Sequence, residues 1–168
     1  VPHNPKGLME AMGGREKFIE KLDTLFEQNL YWHGNEPCHQ IAYLYNEAGQ
    51  PWKTQKYVRH ILDTEYGDKP GGLAGNDDAG QMSAWYVFSS LGFYPVCPGT
   101  PYYYIGTPTF EHATIKLDNG NTFTIIAPGA SKENCYIESV TLNGKAYNDY
   151  KINHKDIMNG GTIKFKMT

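Results

Sequence analysis

Two short stretches of this 168-residue chain gather residue types that could do acid–base or metal chemistry. One is His33-Gly34-Asn35-Glu36-Pro37-Cys38-His39; the other runs from Gly71 through Gly75 to Asn76, Asp77 and Asp78. Asp and Asn suit a helix start, because a short side-chain oxygen accepts from an unpaired N–H and a carboxylate faces the positive end of the dipole. A cap needs one such residue, and here two acids and an amide are adjacent. Oxygen donors without a cysteine cluster favour a hard cation such as calcium over a soft one. A carboxylate that stays ionised within reach of water can serve as a general base. Carboxylates on facing loops suit glycoside hydrolysis, in which an inverting enzyme holds acid and base roughly 6.5–9.5 Å apart to admit water. Asp77 or Asp78 could fill that role, with Tyr31 and Trp32 as stacking surfaces. A zinc hydrolase built on His33, Glu36 and His39 is the competing reading. Its usual motif places two histidines four apart on a helix; here they are six apart, with Pro37 between them.

These loops need elements to hold them. Phe18, Leu22, Leu25 and Phe26 predict a helix from Arg15 to about Gln28, after a possible short one at Leu8–Met12. Ile41, Leu44, Tyr45 and Ala48 predict a second long helix, stopped by Gly49. Pro51 opens a third, ending near Gly67, and a fourth is expected from Asp78 to Leu91. The fourth carries apolar residues on most faces, which predicts burial on several sides. Consecutive helices joined by short turns run antiparallel. The 29–37 and 71–77 loops therefore emerge at one end, which brings His33, Asn35, Glu36 and His39 to the rim that holds Asn76, Asp77 and Asp78. After Gly92 the pattern becomes β: Tyr102–Ile105, Thr114–Leu117, Thr122–Ile126, Tyr136–Leu142 and Thr162–Met167, with turn signals at Asp118–Asn121 and Asn143-Gly144. Helices followed by strands argue an α+β chain, divided near Gly92–Thr100.

The totals exclude more than they select. A net charge of −3 with scattered Lys and Arg leaves no electrostatic footprint for nucleic acid. No run is apolar enough to span a membrane, and no secretion signal stands at the start. Cys38, Cys97 and Cys135 are too far apart for a zinc site or a disulfide framework, although one bridge could form.

From Gly75 to Val96, Gly-Asn-Asp-Asp-Ala-Gly-Gln-Met-Ser-Ala-Trp-Tyr-Val-Phe-Ser-Ser-Leu-Gly-Phe-Tyr-Pro-Val, the sequence closely resembles glycoside hydrolase family 92. These are calcium-dependent, inverting exo-α-mannosidases, abundant in gut Bacteroidetes. Further agreement follows in order: Gly13-Gly14 with Phe18 and Leu22-Asp23, Gly34-Asn35-Glu36-Pro37 with His39, Tyr43 to Asn46, Gly49 to Gln55, and Gly160 to Phe165. The resemblance spans essentially the whole chain. It implies that residues 1–92 are the last helices of an (α/α)6 toroid. Residues 93–168 would be a C-terminal antiparallel β-sandwich-like region that joins an N-terminal β-sandwich. The chain would then be a fragment of a polypeptide several hundred residues long. The resemblance further implies that Asp78, or failing it Asp77, is the catalytic base. It makes Glu36, Asn35 and Asp78 the calcium site and His33, His39, Trp32 and Asn76 sugar contacts, with the metal engaging the mannose 2- and 3-hydroxyls.

The family's general acid, a glutamate from an earlier segment, has no counterpart here, and Glu47, Glu65 and Glu111 read as surface charges. The expectation is half a site, inactive alone, whose partners are a mannose-containing glycan and the remainder of its own polypeptide. Four helices cannot close a six-hairpin toroid, so self-association through uncovered faces is expected. Family analogy places the protein in the periplasm or at the cell surface. A second reading takes residues 102–168 as a non-catalytic carbohydrate-binding or structural module with a helical cap. Tyr102, Tyr103 and Tyr104 are consecutive, so they alternate between faces and make no sugar platform.

Overall fold

The computed structural model describes residues 2–168. Helix α1 (Pro5–Ala11) starts where Asn4 accepts from the Gly7 N–H at 2.9 Å and where the missing N–H of Pro5 costs nothing. Helix α2 (Arg15–Glu27) buries Phe18 and Leu22. Helix α3 (Pro51–Thr64) again opens on proline and buries Tyr57, Val58, Ile61 and Leu62.

The expected second long helix does not form. Ile41–Tyr45 is instead a short 3-10 turn, with Tyr43 N–H bonded to Gln40 O at 3.1 Å and Asn46 N–H to Tyr43 O at 3.2 Å. A tertiary partner claims a carbonyl that an α-helix would use, since Thr54 Oγ1 donates to Ala42 O at 2.9 Å, and the Asn46 side chain is fixed by donating Nδ2 to Ile105 O at 2.8 Å. Residues 42–46 are buried all round, and the tight turn lets them fit between α2 and α3.

Helix α4 (Gln81–Leu91) begins three residues later than expected. Asp78, Ala79 and Gly80 are all left-handed, with φ of 46°, 58° and 91°, and only then does the chain turn helical. Met82 and Trp85 on α4 are fully buried, whereas Tyr86 is 37% and Val87 57% exposed. Within this chain α4 therefore leaves an apolar face uncovered, contrary to the expectation of burial on several sides.

Beyond Gly92 lie β1 (Phe93–Tyr94), β2 (Tyr102–Ile105), β3 (His112–Lys116), β4 (Thr122–Ile126), β5 (Ile137–Leu142), β6 (Lys145–Ala146), β7 (Lys151–Asn153), α5 (His154–Met158) and β8 (Gly161–Met167). Strands β1-β2-β7 form one antiparallel sheet, and β3-β4-β8-β5-β6 form the other. The region is not purely antiparallel, because β8 pairs with β4 in parallel, Ile163 opposite Ile125. The chain between β4 and β8 is long enough to cross over and re-enter in the same direction. The chain is thus α+β with mixed sheets.

Two cores result. One gathers Phe18, Tyr43, Tyr45, Val58, Ile61 and Trp85; the other gathers Phe123, Ile125, Ile152, Ile163 and Phe165. Phe93 and Tyr94 point to opposite sides of β1, so Phe93 enters the second core and Tyr94 the first. All three cysteines are free. No helix among the described residues is long and apolar enough to cross a membrane.

Glu47 is not the surface charge that its sequence suggests. Its carboxylate receives Tyr104 Oη, Tyr150 Oη at 3.0 Å and Lys151 Nζ at 2.6 Å, and so joins the helical part to β2 and β7. Burial alone would raise its pKa, but the Lys151 ammonium and the two hydroxyls outweigh burial and hold the carboxyl below its ordinary 4.5. A depressed pKa contributes stability above the unfolded value, and that contribution is lost as pH falls through the folded one. The stability difference between the wild type and Glu47→Gln should accordingly be largest near neutrality and close below about pH 4.5. Urea melts of both proteins across that range would measure it.

Candidate active site

The two acidic loops meet backbone to backbone. A Cβ at Gly75 would lie 2.6 Å from Gly34 O, and one at Gly34 would lie 2.8 Å from Ala74 O. Only glycine on both sides permits this crossing. Trp32, 59% exposed, lies against Gly34 and covers the junction.

The crossing brings Glu36 to Asp78. Repulsion from the nearby Glu36 charge is the main cause that raises the Asp78 pKa; desolvation and the charge of Asp77 add to it. Like charges brought this close make the pair a place where positive charge is favoured. Asp77 is placed differently. Its Oδ1 accepts from the Ser83 N–H and from Ser83 Oγ, both at 2.9 Å, which ties it to the first turn of α4. Asn35, Asn76 and Asp78 are exposed at the rim, while Glu36 and Asp77 are half-buried.

His33 and His39 lie beneath the rim and not on it. Both are buried, and their rings stack with centroids 4.4 Å apart. Tyr66 Oη donates to Met82 O at 3.0 Å, so it must accept from the His33 Nε2–H at 2.6 Å. His33 Nδ1 then accepts from Tyr31 Oη at 2.7 Å. His39 Nε2–H donates to His33 O at 3.0 Å, and its Nδ1 accepts from Gln81 Nε2 at 3.3 Å. Burial, reinforced by the neighbouring His39, pushes the His33 pKa down to about 3. The expected sugar contacts His33 and His39 thus lie under the rim with their ring nitrogens bonded to protein, and they hold the loops from below. The same engagement removes the lone pairs that a zinc site would need.

Among the described residues no three His, Cys, Asp or Glu side chains form a ready metal cage. Two carboxylates, Glu36 and Asp78, do come together, and Asn35, next in sequence to Glu36, turns its amide nitrogen to Cys38 Sγ at 3.3 Å and so leaves its oxygen free to accept or ligate. An all-oxygen set of this kind around a like-charge pair fits a hard divalent cation that takes further ligands from elsewhere.

Sequence reasoning missed Ser83, Gln81, Tyr31 and Tyr66 as supports. Ser83 and Gln81 were within reach of it, since both stand in the first turn that follows the acidic residues. Nothing local marks Tyr66, which lies 33 residues from its partner His33.

The model of the glycosyl hydrolase family 92 catalytic domain matches residues 1–168. The chain belongs to family 92. An uncharacterized secreted glycosidase of Arthroderma benhamiae is 37% identical over 99% of this chain, which covers 22% of that protein. A family 92 α-mannosidase of Bacteroides thetaiotaomicron superposes with a TM-score of 0.89 at 45% identity, over 92% of this chain and 22% of its own. A family 92 inverting mannosidase of the same organism superposes with a TM-score of 0.92 at 38% identity, over 99% and 26%. The chain thus spans about a quarter of the length of these family 92 relatives.

Proposed function

We propose that this chain carries the base side and the calcium side of an inverting exo-α-mannosidase site that acts on terminal α-mannosides of glycans, within a longer parent polypeptide. The observation that carries the reading is the Glu36–Asp78 pair, held together by two loops that cross at Gly34 and Gly75. Asp78, exposed and not tied to the helix, is the base that takes the proton of the attacking water. Asp77, fixed by Ser83, orients it. Glu36 and Asn35, with Asp78 beside them, would hold calcium, which when bound supplies positive charge to fix the sugar hydroxyls. Trp32 and Asn76 border the same rim and would contact the sugar. The acid that protonates the leaving oxygen comes from another segment of the parent, so the chain alone is inactive.

The open face of α4 fits this reading. Tyr86 and Val87, with Leu62, Tyr66 and Leu73, line a cleft of about 600 Å³ that the remainder of the polypeptide would fill. Without that cover, the isolated chain would self-associate there. A secreted relative supports an extracellular or periplasmic location.

Calcium titration by calorimetry tests the proposal, using the chain, the parent and the Asp78→Asn, Glu36→Gln double variant of each. Saturable binding to the parent that the double change abolishes is the expected result. Unaltered binding in the variant would place the cation elsewhere and sink the assignment. Binding to the parent but not to the chain would show that the remaining ligands come from outside residues 1–168.

A further inference from the structure

We propose that Tyr66 is a positioning residue that sets the register of the two carboxylate-bearing loops. Its backbone pairs with Leu73 in an isolated antiparallel bridge, reinforced by the Gly67 N–H to Gly72 O bond at 2.8 Å. Its hydroxyl donates to Met82 O at 3.0 Å. One residue thereby closes both ends of the 73–82 segment that carries Asp77 and Asp78. The same hydroxyl receives His33 Nε2–H at 2.6 Å, which fastens that segment to the 33–36 loop. The ring is held in turn, parallel to Trp85 at 5.9 Å. Each bond has a single possible direction, because Met82 O can only accept. The hydroxyl is therefore a fixed two-bond joint between Glu36's loop and Asp78's. Tyr31 also bonds His33, at 2.7 Å, but from two residues away on the same loop, so it joins nothing new.

This contrast supplies the test. Tyr66→Phe and Tyr31→Phe each remove one hydroxyl bonded to His33 and keep the ring; only the first also cuts the link to Met82. In the parent polypeptide, amide exchange of the 73–86 region should accelerate about tenfold or more in Tyr66→Phe and stay within about threefold of wild type in Tyr31→Phe. With an aryl α-mannoside as probe, kcat should fall about tenfold or more in Tyr66→Phe, with KM nearly unchanged, since small misplacements of reacting groups are costly. Equal exchange in the two variants would overturn the joint. Faster exchange with unaltered kcat would reduce Tyr66 to a structural part. The kinetic arm rests on the mannosidase reading. If the wild-type parent does not cleave the probe, that reading fails, and the exchange arm still decides the joint.

Discussion

Asp78→Asn in the parent polypeptide should cut kcat for α-mannoside hydrolysis by roughly 10²–10⁴ and leave KM within a few-fold, the scale on which a positioned general base contributes. The substitution preserves shape, keeps a carbonyl oxygen, and removes the ability to take a proton from water. It also removes the like-charge contact with Glu36 and one of the oxygens offered to calcium, so the kinetics are to be read at saturating calcium. Asp77→Asn is the control. Asp77 Oδ1 accepts two bonds from Ser83, which an amide oxygen can still accept, so its loss should be smaller. Steady-state kinetics on both variants separates the roles. A larger loss at Asp77 would exchange the assignments.

Trp85→Ala should destabilise the chain by about 3–5 kcal/mol, the range for deleting a large buried aromatic. Trp85 is fully buried, and its Nε1–H donates to His39 O at 2.9 Å, so truncation leaves both a cavity and an unpaired buried carbonyl. Its ring also meets His33 edge-on at 4.3 Å and lies parallel to Tyr66. The loss should therefore reach the histidines that support the rim. Urea denaturation read by tryptophan fluorescence and by far-UV circular dichroism gives the magnitude. A loss under about 1.5 kcal/mol would mean that the cavity collapses freely, against the packing seen here.

Some of this was legible before the structure. Short turns force neighbouring helical segments to reverse, and that alone places residue 34 near residue 75, even though Ile41–Tyr45 forms a tighter turn than the pattern implied. Family membership was legible too, because the Gly75–Val96 run is long and specific. What stayed hidden was decided far away in sequence. His33 and His39 read as sugar contacts at the rim; their burial beneath it depends on Tyr66 and Trp85, which no local spacing connects to them. The left-handed run at Asp78, Ala79 and Gly80 has only one glycine to announce it, so the sequence pattern starts the helix three residues early. Parallel pairing of β4 and β8 depends on a crossover that hairpin signals cannot encode. Glu47 looked solvent-facing for the same reason, since its partners belong to the other end of the chain.

That last separation bears on biosynthesis. Tyr150 follows Glu47 by 103 residues. At ribosomal rates of about 5–20 residues per second, the carboxylate waits roughly 5–20 s for the last of its partners, Tyr150 and Lys151, to be made. Through that interval the acid keeps its water, and the 41–48 turn beside it cannot seal. The helical half is therefore synthesised first but stays open until strand β7 emerges and its lysine arrives, shortly before β8 completes the five-stranded sheet.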